Sequence, residues 1–281
     1  MTITVTQQNP VSETLPHAVT NPVIKPVMQG SFLEEMPLTT TIHNLLFKVT
    51  KDGAVFWVGA AVPFGTTDFT KIQVFFHPTV VQGFPPNQVV HARDVDYPSF
   101  TGGWSGSLQR YVALEGGQLA GARQVAMLVP FTTMAALGGG AANMFTTDPV
   151  ATLSYITAEI QATFDPLRLL PPPTLSAVGA ASFSSGIGAM KMFINAMMPS
   201  SLVREVIDFD GPFIIGNPAD LTLSPGAVSS CYTQTPRANP PAGYKFLPAT
   251  SFANLTSFNH DPHACIGWMM YYTAMLSSLI T

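Results

Sequence analysis

Apolar residues in the first part of this chain gather into short runs of the length typical of β-strands. The runs 42–49 and 54–62 flank Lys51-Asp52-Gly53, which is typical of a hairpin turn, and a third run covers 71–76. Beyond residue 100, apolar runs alternate with stretches of helical periodicity. The further predicted elements are helix 104–119, strand 123–131, helix 149–164, a strand from 174 to a turn at 182–186, helix 187–197, strands 203–210, 227–232 and 244–247, and a final helix 264–280.

Hairpin strands followed by strands that alternate with helices predict an α/β fold. We expect a mostly parallel central sheet with antiparallel N-terminal strands and helices on both faces. The helix that begins at Pro149 is the best marked, with Asp148 as its expected N-cap. Residues 41–281 are predicted to form a single domain, because α/β domains of ~250 residues form one unit. Residues 1–40 are rich in Thr, Pro and Gln without periodicity, and we expect an extended N-terminal arm.

The turn Ser182-Phe183-Ser184-Ser185-Gly186 lies between a predicted buried strand and a predicted helix. A strand, a sharp turn with a central serine and a helix form a nucleophile elbow, which exposes a serine hydroxyl at the end of a sheet. Small residues are needed two positions before and after the serine, and Ser182 and Gly186 are both small. The plainer interpretation is a Ser/Gly-rich turn in which Ser184 lies near a helix N-cap.

Other reactive side chains follow the ends of the predicted strands, where catalytic residues of parallel sheets lie. They are His77, Asp208 and Asp210 at strand ends, and His260 and His263 in the segment before the final helix. Serine, acid and histidine in this chain order are the order of the α/β-hydrolase triad.

With these residues the sequence resembles the α/β-hydrolase fold family, and specifically its esterase and lipase members, over roughly 42–281. The resemblance implies that Ser184 is the nucleophile. It also implies an oxyanion hole formed by two main-chain N–H groups, one of them from Ser185. The family's strand-end His-Gly motif matches His77-Pro78 here, and because proline has no N–H the second donor would be Thr79.

The base implied by the family pattern is a histidine that precedes the last helix. His263 fits this position, and His260 is the alternative. The implied acid is Asp210, next to Gly211, with Asp208 as the alternative; a period of two would put both carboxylates on one face of their strand. The implied activity is cleavage of carboxylic esters through an acyl-enzyme. An acyltransferase with the same triad and a non-catalytic binding module of the same fold are the alternatives.

The resemblance implies no metal ion and no organic cofactor, and the expected substrate is a small-molecule ester or a lipid-like ester. Two loops, 80–103 and 132–148, and Trp104 directly after the first of them carry apolar side chains that could form an acyl pocket, although core packing explains each of them equally well. These side chains are Phe84, Trp104, Met134, Met144 and Phe145.

The composition excludes some classes of partner. Charged residues make up only 10% and the net charge is −4, so no basic surface for nucleic acid is expected. Low surface charge also fits a homo-oligomer with buried faces. Cys231 and Cys265 are expected to be free buried thiols, with one disulfide between them as the alternative. The apolar segment 264–280 is shorter than the ~20 residues of a membrane span, so a buried helix is expected. The first 30 residues lack the pattern of a secretory signal, and the compartment stays open between cytoplasmic and mature secreted.

Overall fold

A computed structural model describes residues 1–8, 12–14, 41–78, 109–131, 143–211, 223–252 and 261–280. Ten strands of these residues form one sheet. The strands are β1 (Ile3–Gln7), β2 (Ser12–Thr14), β3 (Ile42–Lys51), β4 (Ala54–Pro63), β5 (Lys71–Phe76), β6 (Ala126–Pro130), β7 (Ala177–Phe183), β8 (Val203–Phe209), β9 (Val228–Thr233) and β10 (Tyr244–Phe246).

The sheet has the order β1-β3-β4-β6-β5-β7-β8-β9-β10, with β2 paired to β3 beside β1. Strands β3 and β4 form the predicted antiparallel hairpin, and β4 pairs antiparallel with β6. From β6 to β10 all neighbours are parallel. The predicted mostly parallel sheet with antiparallel N-terminal strands is therefore confirmed, and the carboxyl ends of β5, β7, β8 and β9 lie along one edge.

The start of the predicted N-terminal arm belongs to this sheet. Ile3–Gln7 pairs with the last residues of β3, and Ser12–Thr14 pairs with its first residues. Both segments pair with the side of β3 that faces away from β4. At these residues the chain is extended, and it forms part of the sheet. The rest of the predicted arm lies outside the described residues.

Helices cover both faces of the sheet, as predicted. They are α1 (Gln109–Ala122), α2 (Asn143–Thr146), α3 (Pro149–Phe164), α4 (Gly186–Met197) and α5 (Pro262–Leu276), with 3-10 turns at Met198–Ser200 and Ala249–Phe252. Helices α2, α3 and α4 pack on one apolar core, and α1 and α5 pack on a second core across the sheet. Of the predicted helix 104–119, the described residues start at Gln109 and are helical. The helix continues beyond the predicted end to Ala122.

Asp148 stands at the N-cap position of α3, but its side chain does not cap the helix. Its φ of 41° lies in the left-handed region, and the main-chain carbonyl accepts from the Thr152 N–H instead. The cap prediction from residue type was therefore wrong about the side chain, because a capping side chain requires an extended N-cap backbone and Asp148 is left-handed.

A buried lysine holds the segment before α3 against the sheet. Lys51, at the end of β3, is 3% exposed. Its ammonium donates to the carbonyls of Met144 and Thr147 and to the Thr152 hydroxyl. Three donors thus meet three oxygen acceptors, which is the requirement for burying a charged amine.

A buried carboxylate fastens the end of the described chain to the same sheet. Glu205 of β8 accepts from the Ser278 hydroxyl at 2.6 Å and from the Leu279 N–H at 2.7 Å. The Gln73 side chain of β5 donates to it as well. Glu205 lies near the amino end of β8, far along the strand from the edge that carries the reactive side chains.

Helix α5 packs on the sheet as a buried final helix. None of the helices in the described ranges is long and apolar enough to cross a membrane. Cys231 and Cys265 are both buried and free, as predicted.

Candidate active site

Ser184 lies in a sharp turn between strand and helix. Strand β7 ends at Phe183 and α4 begins at Gly186, so two residues reverse the chain. Ser184 has a φ of 53°, in the left-handed region that L-residues rarely adopt. Its N–H donates to the Phe209 carbonyl at the end of β8 at 2.9 Å, which holds the turn against the neighbouring strand. This geometry is that of a nucleophile elbow.

Gly186 is required by the close approach of α4 to β5. A Cβ atom at this position would lie 2.1 Å from the Phe76 carbonyl oxygen and 2.8 Å from that of His77. Neither main-chain atom can move aside, since β5 is in the middle of the sheet. The start of α4 therefore lies directly against the carboxyl end of β5.

Three side chains meet in one hydrogen-bonded chain at this edge. The His263 Nε2 atom lies 3.0 Å from the Ser184 hydroxyl oxygen, and its Nδ1 atom lies 2.7 Å from Asp210 Oδ2. A carboxylate only accepts, so Nδ1 carries the proton and Nε2 presents its lone pair to Ser184. Of the residues singled out from the sequence, the structure brings these three together.

Asp210 is held by residues that the sequence analysis missed. Its Oδ1 atom accepts from the Thr233 hydroxyl at 2.6 Å and the Gln234 N–H at 3.0 Å, and Oδ2 accepts from the Gln234 side chain at 2.7 Å. Burial acts to raise the pKa of Asp210, but the hydrogen bonds from His263, Thr233 and Gln234 outweigh it and hold the pKa below its ordinary value. Thr233 is the last residue of β9, the next strand of the sheet, and Gln234 follows it; strand adjacency was the signal that could have found them.

Asp208 does not share the surroundings of Asp210. The expectation that both carboxylates lie on one face fails because Asp210, with a φ of 56°, has left the strand conformation. Asp208 is fully buried and accepts from the Ser182 hydroxyl at 2.6 Å and the Gly211 N–H at 2.7 Å. It makes no contact with His263, so the alternative acid is not the one beside the imidazole.

His263 occupies the first turn of α5. Asp261 caps this helix by accepting from the His263 N–H at 3.0 Å, and Pro262 occupies the first helical turn. The imidazole packs on the Phe183 ring, with centroids 4.9 Å apart. Gly267, one helical turn further on, leaves room for that ring, since a Cβ there would lie 2.1 Å from it. Phe183 and Gly267 thus fix where the imidazole lies, and the sequence pattern alone did not single them out.

His77 directly follows β5, and its side chain is buried and neutral. Its Nδ1–H donates to the Pro78 carbonyl, with the two atoms 2.6 Å apart. Burial lowers the pKa of His77 to about 4, against a smaller opposing effect of that hydrogen bond. The expected oxyanion donor Thr79 and the alternative base His260 lie outside the described residues, and so do Phe84, Trp104 and Met134.

Two of the expected pocket residues are part of the core instead. Met144 and Phe145 are fully buried, and the Phe145 ring contacts those of Phe76 and Phe193. Of the two interpretations given above for these side chains, core packing is the one observed, because α2 packs against α4.

The sheet order, the elbow at Ser184 and the chain order Ser184, Asp210, His263 define an α/β-hydrolase type of fold. No protein-family model matches the sequence, and no curated protein matches it.

Solved structures resemble the chain at low sequence identity. A hydrolase candidate from Legionella pneumophila has 12% identity and a TM-score of 0.44, covering 73% of this chain and 50% of its own. The rice cell wall degrading esterase LipA from Xanthomonas oryzae has 10% identity and a TM-score of 0.39, with 73% and 48% covered. A thermostable esterase from Pseudomonas putida has 10% identity and a TM-score of 0.36, with 69% and 51% covered. This chain spans about half the length of these proteins, and the likeness concerns the fold alone.

Proposed function

We propose that this chain is a serine hydrolase that cleaves carboxylic esters through a Ser184–His263–Asp210 triad. The observation that carries the proposal is the hydrogen-bonded chain from the Ser184 hydroxyl through both imidazole nitrogens to a buried carboxylate. Serine is a weak nucleophile by itself, and an adjacent, oriented base is what activates it.

In the first half of the reaction, Ser184 Oγ bonds to the ester carbonyl carbon while His263 Nε2 takes the hydroxyl proton. The tetrahedral intermediate collapses as the carbon–oxygen bond to the alcohol breaks, and the imidazolium returns the proton to the leaving oxygen. In the second half, water repeats these steps on the acyl-enzyme and releases the carboxylic acid. Asp210 keeps the proton on Nδ1 and stabilises the imidazolium that forms in each half.

The N–H groups of Ser185 and Thr79 are the proposed donors to the oxyanion. Ser185 is the N-cap residue of α4, where the helix dipole favours negative charge. The contact between Gly186 and the carbonyls of Phe76 and His77 supports a donor from the residues that follow β5, because this contact brings the two segments together. Donors at this point contribute by stabilising charge that develops only in the transition state.

A small-molecule or lipid-like ester is the proposed substrate class. An acyltransferase would use the same three side chains and differ in whether an alcohol or water accepts the acyl group. A binding module would leave Ser184 unreactive.

Labelling with a fluorophosphonate tests the proposal, followed by mass mapping of the adduct. We expect one adduct on Ser184, no adduct in Ser184→Ala, and release of acid from 4-nitrophenyl esters by the native chain alone. Ser176→Ala, at an exposed serine just before β7, serves as a labelled control. Absence of both labelling and ester turnover in the folded native chain refutes the proposal. Transfer of the acyl group to added alcohol in preference to water would assign the transferase alternative.

A further inference from the structure

Asp208 is a buried carboxylate beneath the proposed triad for which the reaction above has no use. Its Oδ1 atom accepts from the Ser182 hydroxyl at 2.6 Å. Its Oδ2 atom accepts from the Gly211 N–H at 2.7 Å, and the Cys231 thiol lies 3.7 Å from the same oxygen. Three donors from three separate segments therefore converge on one carboxylate.

These contacts join the segment that carries Ser184 to the one that carries Asp210. Ser182 lies two residues before Ser184 and is the register partner of Asp208 between β7 and β8. The Gly211 N–H closes a turn from Asp208 to Gly211, and Asp210 lies inside that turn with its φ of 56°. The turn conformation directs the Asp210 side chain toward His263 rather than along the strand.

Gly211 shows how closely Asp208 fits this turn. A Cβ atom at residue 211 would lie 2.5 Å from Asp208 Oδ2 and 2.7 Å from the Ile187 side chain of α4. The carboxylate is therefore enclosed by the turn, by α4 and by the neighbouring strands, and it has little freedom to reorient.

We propose that Asp208 is a positioning residue for this site: its ionised carboxylate holds the turn that directs Asp210 at His263, so that turnover requires Asp208 ionised as well as His263 neutral. This inference rests on the proposed ester hydrolysis.

The hydrogen bonds explain why the ionised form is needed. A proton on Oδ2 would face the hydrogen of the Gly211 N–H, and the repulsion between the two would open the turn. A proton on Oδ1 would force the Ser182 hydroxyl to become an acceptor, and it would leave the Gly211 bond without a charged acceptor. Hydrogen bonds to ionised groups are roughly twice as strong as neutral ones, so either protonation loosens the turn.

The surroundings bring this titration into an accessible pH range. Burial is the main cause that raises the pKa of Asp208 to about 7, with a smaller contribution from the Asp210 charge. The hydrogen bonds from Ser182, Gly211 and Cys231 oppose this shift. Among the described residues that shift this pKa, Asp210 and Cys231 are the titratable ones and none is a cation. Asp210 itself has a lowered pKa and stays ionised well below this range.

The pH dependence of kcat/KM is therefore the measurement that separates this role from a purely structural one. Each group that must lose a proton adds one to the slope of log(kcat/KM) on the acid limb. With both the base and Asp208 required in their proton-free forms, the acid limb of the native chain should approach a slope of two. Asp208→Asn should have a slope of one, because this variant lacks the Asp208 carboxyl group.

Asp208→Asn also imitates the protonated form, since its amide oxygen can accept from Gly211 while its nitrogen donates to Ser182. We expect kcat at pH 8 to fall about 100-fold and KM to stay within about twofold, because the hydrogen bonds that hold the turn lose their charged acceptor. Ser182→Ala should move the part of the acid limb that reports the ionisation of Asp208 to higher pH, because it removes a hydrogen bond that lowers the Asp208 pKa. Glu205→Gln is the matched control, a buried carboxylate on the same strand, and should retain the slope of two.

A slope of one in the native chain overturns the inference even if Asp208→Asn does not fold. An unchanged kcat and slope in folded Asp208→Asn overturn it as well. Both results leave ester hydrolysis standing, as long as the native chain turns over and Ser184 is labelled. Failure of the proposed function is a different result: no turnover and no labelling in the native chain at any pH.

Discussion

Substitution of Asp210 by asparagine tests the proposed triad most sharply, because the structure determines how the new side chain must lie. The Asp210 carboxylate accepts two hydrogen bonds on each oxygen, from Thr233 and the Gln234 N–H on Oδ1 and from the Gln234 side chain and His263 on Oδ2. An amide offers one accepting oxygen and one donating nitrogen. One of the two pairs of donors must therefore face an N–H group.

The main-chain N–H of Gln234 decides the orientation, because it can neither rotate nor accept. The amide oxygen must occupy the Oδ1 position, and the amide nitrogen then faces His263 Nδ1. The Gln234 side chain can flip its own amide, but the imidazole can adjust only by moving its proton from Nδ1 to Nε2. His263 would then donate to Ser184 where it should accept, and it could not act as base.

A histidine in the wrong tautomer lowers kcat by about 10,000-fold in a triad of this kind, so we expect a loss of that order for Asp210→Asn. The assay is steady-state hydrolysis of a 4-nitrophenyl ester, together with the rate of fluorophosphonate labelling and a circular dichroism spectrum. Thr233→Val is the control: it removes one bond to Oδ1 without reversing the tautomer, and we expect about a 10-fold loss. If folded Asp210→Asn retained more than about a tenth of the native kcat, Asp210 would not orient the base and the reasoning would fail.

Two further substitutions test the framework of the site. Gly186→Ala puts a Cβ 2.1 Å from the Phe76 carbonyl, so we expect a loss of about 2–4 kcal/mol in the free energy of unfolding and little ester turnover. Urea unfolding beside the turnover assay checks this, and a native-like stability would contradict the close contact. Lys51→Met removes the donor to the buried Met144 carbonyl, the Thr147 carbonyl and the Thr152 hydroxyl, and should reduce the free energy of unfolding by about 2–4 kcal/mol. Lys71→Met, at an exposed ion pair, should change it by less than about 1 kcal/mol; equal effects of the two lysines would refute the anchoring role of Lys51.

The kind and order of the elements could be predicted from the sequence because they depend on local signals. The Asp52-Gly53 turn marks the first hairpin, and the change from strand-like runs to helical periodicity marks the parallel part of the sheet. The pairing of Ile3–Gln7 with β3 could not be predicted in this way, because it depends on an edge strand that lies more than forty residues further along the chain. The side chain of Asp148 was misjudged for a related reason, since residue type does not reveal a left-handed φ.

The candidate site shows the same division between local and non-local information. The elbow around Ser184 could be located, because small residues at fixed spacing are a property of the local chain. Which of Asp208 and Asp210 faces the imidazole could not be derived from the period of two. That choice depends on a left-handed turn at Asp210, which is held by the Gly211 N–H and by the side chains of Thr233 and Gln234 at the end of β9. A sequence pattern contains no information on such contacts between strands until the strand order is known.

Two residues of the proposed triad have a strained backbone. Ser184 and Asp210 are both L-residues in the left-handed region, a conformation that costs of order 1–3 kcal/mol each. Each is held by the next strand, with the Ser184 N–H donating to Phe209 and the Asp210 N–H donating to Tyr232. Glycine would relieve the strain at both positions, and a neutral side chain at Asp208 would avoid a buried charge. Five other residues of the described ranges that are not glycine also have a left-handed φ, so this conformation alone does not mark a site. Ser184 and Asp210 differ from them because their side chains lie on either side of His263 at one edge of the sheet, which is the arrangement that the proposed reaction requires.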